Sequence, residues 1–151
     1  MDESVFWNIL TLIKLPDGED EGDVASAQAA LAELSVEDIQ RFEHILIEKL
    51  HALDTRAHAR ASLENESDFF SNDGFLYKRC YVVASGKACF EDILANPERM
   101  PKDLMLELEE LLYLPQKAYE LKTGGEEFLP VSSNLSAETG SNLKGWEETP
   151  A

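Results

Sequence analysis

Apolar residues in this chain recur every three or four positions, and that period admits little besides packed helices. The clearest run lies between Ser35 and about Arg60, where Ile39, Phe42, Leu46, Leu50, Leu53 and Ala57 mark one face. Ser35 is a good N-cap for it, and Glu37 and Asp38 in the first turn complement the helix dipole. Before it, Val5, Phe6, Ile9, Leu10 and Ile13 predict a helix over Ser4–Lys14, capped by Asp2 or Ser4 and ended by Pro16 and Gly18. The Ala-rich stretch Val24–Leu34 is a further helix. After the turn chemistry of Ser71-Asn72-Asp73-Gly74, the chain re-enters a helix near Phe75 that closes at Asn96-Pro97. Tyr81-Val82-Val83 is strand-like in isolation, but the longer helical period outweighs it. A helix over about Lys102–Leu114 and a short one from Pro115 to Gly124-Gly125 complete the pattern. The expected fold is therefore an all-α single-domain bundle of five to six helices over residues 1–125. Its two longest helices, Ser35–Arg60 and Phe75–Asn96, should pack on each other. Residues 126–151 read as an irregular tail, either flexible or packed on the domain surface.

Charge narrows the possible partners. Thirteen basic residues stand against thirty acidic ones, a formal net charge of -17. Phosphate attraction supplies most non-specific nucleic-acid affinity, so direct binding to DNA or RNA is not expected. Anionic membrane surfaces are disfavoured for the same reason. The opening Met1-Asp2-Glu3-Ser4 lacks the basic start of a signal peptide, and no stretch approaches the roughly 20 apolar residues that span a bilayer. Two cysteines form no disulfide framework. A soluble, cytoplasmic, acidic protein is the expectation.

Several groupings invite chemistry and give little. His44, His51 and His58 stand seven apart on one expected helix, about 10.5 Å between neighbours along the axis, too far for two of them to share a zinc ion. Cys80 and Cys89 fall on opposite sides of one expected helix and read as buried small hydrophobes. The run Asp17, Glu19, Glu21, Gly22 and Val24 echoes the start of a calcium loop, but position twelve is Gln28 where a bidentate Glu belongs. A solvated acidic loop, Asp17 to Asp23, is the simpler reading. Residues 75–90 hold Lys78, Arg79 and Lys87 and no acid, which fits either pairing with the acidic helices or an anion site near Asp73-Gly74. There is no nucleophile elbow, phosphate-cradling glycine loop or His-Glu-x-x-His, so neither a catalytic residue, a metal nor a cofactor is assigned.

One pattern is familiar. Ser71-Asn72-Asp73-Gly74-Phe75, Tyr77 and Arg79, Val82-Val83-Ala84-Ser85-Gly86, Phe90-Glu91 and Leu94-Ala95-Asn96-Pro97 follow one another in order. Together they resemble the core of the bacterial domain of unknown function 4240 family. Phe6-Trp7 looks like that family's opening Phe-Trp, and Ala118-Tyr119-Glu120-Leu121-Lys122-Thr123-Gly124 like its closing motif. The likeness runs over about residues 5–125 and carries no activity with it. Asn72 stands where the family usually has Asp, and Thr55–Phe70 replaces a tryptophan-containing stretch. Locally, Asp73 is expected to cap the helix at Phe75, Gly74 to permit the turn, and Arg79 to reach back to Asp73.

Three functions compete. The first is a non-enzymatic immunity protein that neutralises a bacterial toxin by covering its basic active-site surface. Its partner-binding residues would be Asp17, Glu19, Asp20, Glu21 and Asp23 on one surface and Glu107, Glu109 and Glu110 on a second. Another is a small-ligand-binding or enzymatic domain built on the Asp73, Tyr77 and Arg79 corner, which would need a deep pocket there. The last is an acidic regulatory adaptor.

Overall fold

The computed structural model describes residues 1–65, 71–102, 105–128 and 134–147. Its helices, in chain order, are α1 (Glu3–Leu10), α2 (Ala25–Ala32), α3 (Val36–Ala52), α4 (Arg56–Ala61), α5 (Asn72–Ala84), α6 (Lys87–Ala95), α7 (Leu114–Thr123) and α8 (Leu143–Trp146). Six of these have seven residues or more, and among the described residues there is no strand, so the fold is all-α. No helix among them is long and apolar enough to cross a membrane.

The stripe on α3 organises the core. Ile39, Phe42, Ile45, Leu46 and Leu50 are buried, and α3 meets α1, α5 and α7. Phe6 of α1 meets Phe42 of α3 at 4.8 Å, and Trp7 meets Phe90 of α6 at 5.6 Å, so α1, α3 and α6 share one aromatic cluster. α7 closes the other side against α2 and α3, burying Leu114 and Ala118.

The two long helices expected from the sequence pack together as expected, but each is two helices. The stripe from Ser35 breaks after Leu53. Thr55 leaves the helix with φ -130° and ψ 156°, and its hydroxyl caps α4 by accepting the His58 N–H at 3.0 Å. This new helix turns the pattern: Ala57 is exposed while His58 and Ala59 are buried. The second long helix starts at Asn72 and breaks at Ser85-Gly86, where Gly86 adopts φ +107°. The helix expected over Lys102–Leu114 is absent from its described part. Residues 105–108 run beside α5 instead, with the Leu108 N–H donating to the Tyr77 carbonyl at 3.0 Å, before a 3-10 turn over Glu109–Tyr113 leads into α7. Residues 103 and 104 lie outside the described ones. From the expected tail, Phe128 rests on Tyr119, and residues 134–147 lie against the α3–α4 junction.

Candidate functional site

The acidic loop is built, not loose. Lys14 and Asp23 exchange two main-chain hydrogen bonds at 2.9 and 2.8 Å, and Asp17 and Asp20 exchange two more at 3.0 and 2.9 Å. Gly18, at φ +60°, makes the tip. Gly22 closes the base: a Cβ there would stand 2.9 Å from Leu108 Cδ1 and 3.2 Å from the Lys14 carbonyl. Glycine thus lets the loop press on residues 105–110. The sixth position of the apparent calcium loop is a packing contact, and among the described residues no three His, Cys, Asp or Glu side chains converge to hold a metal ion.

That contact joins the two acidic segments the sequence left separate. Glu19, Asp20, Glu21, Glu107, Glu109 and Glu110 line one cleft of about 330 Å³, and no cation is among its described lining residues. Asp17 and Asp23 do not line it. Asp17 holds the tip through its main chain, and Asp23 accepts the Ala25 N–H at 2.8 Å to start α2. Met105, 67% exposed, adds an apolar side chain to the same lining. At one end the Tyr113 hydroxyl donates to Glu109 at 3.0 Å, a bond that pushes its own pKa up. Desolvation, with a hydrogen bond to the same carboxylate, pushes Tyr77 up to about 12. Both phenols stay protonated at neutral pH, and Tyr113 acts as a donor to Glu109.

The motif residues of the α5 start divide between two sides. Ser71 is the cap, its hydroxyl accepting the Gly74 N–H at 2.8 Å, while Asp73 is an exposed first-turn acid and not the cap. Gly74 is required by that bond, because a Cβ would fall 2.6 Å from Ser71 Oγ. Asp73 and Tyr77, four residues apart, share a face toward Glu109 and Tyr113. Arg79 lies two residues beyond Tyr77, so it points to the far side of the helix and does not reach back to Asp73. Asp73, Tyr77 and Arg79 therefore do not form one corner.

On that far side is a junction the sequence did not disclose. Arg79 and Asp54 are both fully buried. The Arg79 guanidinium stacks 4.6 Å from the Phe75 ring and donates to the Leu50 carbonyl at 2.8 Å and to Thr139 Oγ1 at 3.0 Å. Burial lowers its pKa from the ordinary value, and the nearby Asp54 carboxylate opposes that shift. Asp54 accepts the main-chain N–H groups of Gly140 and Asn142, both at 3.0 Å, and the Trp146 indole N–H at 2.8 Å. Ser141 Oγ approaches it at 3.5 Å. The segment is gripped in return: Arg56 donates to the Trp146 carbonyl at 3.0 Å, and Asn72 supplies the carbonyl that accepts the Thr139 hydroxyl at 2.7 Å.

A model of the family described as protein of unknown function (DUF4240) matches residues 1–121. The chain belongs to the DUF4240 family. No curated protein and no solved structure matches it. The DUF4240 match includes Asp54 and Arg79 but ends before the segment they hold. It includes residues 107–110 and the acidic loop, so the whole cleft is family territory.

Other candidates within the DUF4240 segment are structural. His44 pairs with Glu48 at 2.8 Å, His51 Nδ1 meets the Ser136 carbonyl at 3.0 Å, and His58 sits on a different helix from both. His58 is held neutral by burial: Nε2–H donates to the Ile93 carbonyl at 2.8 Å, and the Thr55 hydroxyl meets Nδ1 at 2.6 Å. Cys80 and Cys89 lie on α5 and α6, not on one helix, and burial raises both thiols. Of the three cations in 75–90, Lys87 pairs with Glu91 at 3.9 Å. Lys78 and Arg79 point inward and donate to main-chain carbonyls, Lys78 to Ser62 at 2.8 Å.

Proposed function

We propose that this protein is a non-enzymatic immunity protein that neutralises a bacterial toxin by occupying the toxin's basic active-site surface with its acidic cleft. The observation that carries this reading is the convergence of Glu19–Glu21 and Glu107–Glu110 on one concave surface with no cation in its described lining. A surface that cuts nucleic acid must be basic, and a concentrated field of opposite sign steers such a partner and speeds its docking. Met105 offers an apolar anchor inside the charged rim, the arrangement in which affinity persists after salt has screened the steering. The enzymatic alternative has less support, since its three proposed residues face two different sides of α5.

The test is co-purification from the native cell, followed by association kinetics with whatever protein is recovered. A toxin domain whose association slows with salt, and slows further when Glu19, Asp20 and Glu21 are changed to Lys, supports the reading. A basic partner without toxic activity would make the protein a regulatory adaptor. Recovery of a small metabolite and no protein partner overturns the proposal.

A further inference from the structure

The body and the segment 134–147 meet in an unusual way. Among the described residues, every donor to the buried Asp54 carboxylate comes from that segment: Gly140, Ser141, Asn142 and Trp146. The body supplies the complementary groups to its carbonyls and hydroxyl, through Arg56, His51 and Arg79. The apolar part of the grip is modest: among the described residues of the segment, Ala137 and Trp146 pack on the core and both stay partly exposed. α8 has no buried residue, Leu143 is 77% exposed, and Trp146 meets Phe75 edge-on at 6.4 Å. Such a contact is specific in its hydrogen bonds but lean in the apolar area that would make it inseparable from the core.

We propose that Asp54, Arg56 and Arg79 form a recognition slot for a linear peptide, and that residues 134–147 fill it as a detachable strap. The ligand is defined by what the slot reads: a Gly-Ser-Asn turn whose main-chain N–H groups face the two Asp54 oxygens, followed by Gly and Trp at the spacing of Gly145 and Trp146. Gly145 is required because a Cβ there would stand 2.8 Å from the Asp54 carbonyl and 3.0 Å from Thr55 Cγ2. A second copy of the chain carries the same sequence and can supply it in trans. Detaching the strap uncovers a face bearing Arg56 and Arg79, away from the acidic cleft and opposite to it in charge.

The experiment uses the full chain carrying Gly145→Val, which cannot seat its own strap, and a fluorescently labelled synthetic peptide of residues 134–147. Anisotropy should show the peptide binding this variant at least about tenfold more tightly than the wild-type chain, whose slot is occupied. A peptide that itself carries Gly145→Val should not bind. Equal affinity of the two peptides overturns the proposal, and so does loss of the body's helical circular dichroism in the variant. Hydrogen exchange on the unmodified protein gives an independent reading. The Gly140 and Asn142 amides should exchange about a hundredfold faster than core amides of α3 and α5, through opening of the strap alone. Exchange of all of them at one common rate would overturn the proposal.

Discussion

The acidic cleft and the Asp54–Arg79 junction both concentrate ionisable groups, yet they use charge in opposite ways. In the cleft, six carboxylates face water and one another, and few bonds commit them to any neighbour. At the junction, one carboxylate and one guanidinium are sealed from water, and neutral donors and acceptors satisfy most of what they present. A charge open to solvent is free to act at long range and can be changed at little cost to the fold. A charge enclosed by hydrogen bonds has become part of the architecture.

The contrast can be broken by substitution. Arg79→Ala should have the largest effect, a loss of about 3 kcal/mol in urea unfolding, because it empties a buried volume and strands the Leu50 carbonyl. Asp54→Ala should cost less, about 1–2 kcal/mol, since its donors can turn to water once the strap leaves. Trp146 fluorescence should shift to the red in that variant. Gly22→Ala should cost about 1 kcal/mol and spread the cleft, since Pro16 and the Lys14 carbonyl must give way. Acidification probes His58, whose folded pKa is lowered by burial. The unfolded chain takes up that proton first, so stability should be full above about pH 6.5 and decline as pH falls below it. His58→Asn should flatten the urea midpoint between pH 7.5 and 5.5. The triple change of Glu19, Asp20 and Glu21 to Lys should be the mildest, within about 0.5 kcal/mol of wild type. A loss as large as that of Arg79→Ala would erase the distinction between the two regions.

What the sequence disclosed follows the same divide between near and far. Ile39, Phe42, Leu46, Leu50 and Leu53 are all buried because helical periodicity is a local property, written within a few residues. The break after Leu53 was not legible. Thr55 resembles any other polar residue in a helix until its cap is seen, and the donors to Asp54 lie 86 to 92 residues away. Glu19–Glu21 and Glu107–Glu110 read as acidic surfaces in the sequence, but their union depends on Gly22 seating against Leu108, a contact no spacing rule contains. Trp146 belongs to no apolar period, yet it packs on the core and bonds Asp54 through its indole N–H. Arg79 stands in the family motif, but its partner is not Asp73, because six residues along a helix do not return to the same face.

The inward turn of Lys78 and Arg79 has a consequence for the molecule as an electrolyte. Among the described residues, two of the thirteen basic side chains are withdrawn to bind carbonyls against one buried acid, Asp54, so the exterior is slightly more anionic than composition alone conveys. Small cations from the medium must gather around such a surface, in a layer whose thickness is the Debye length. Added salt relieves the self-repulsion of the compact state without touching the two buried cations. A partner with a cationic face displaces part of that layer on arrival, and the entropy of the released counterions then favours association, as it does when basic proteins settle on nucleic acids.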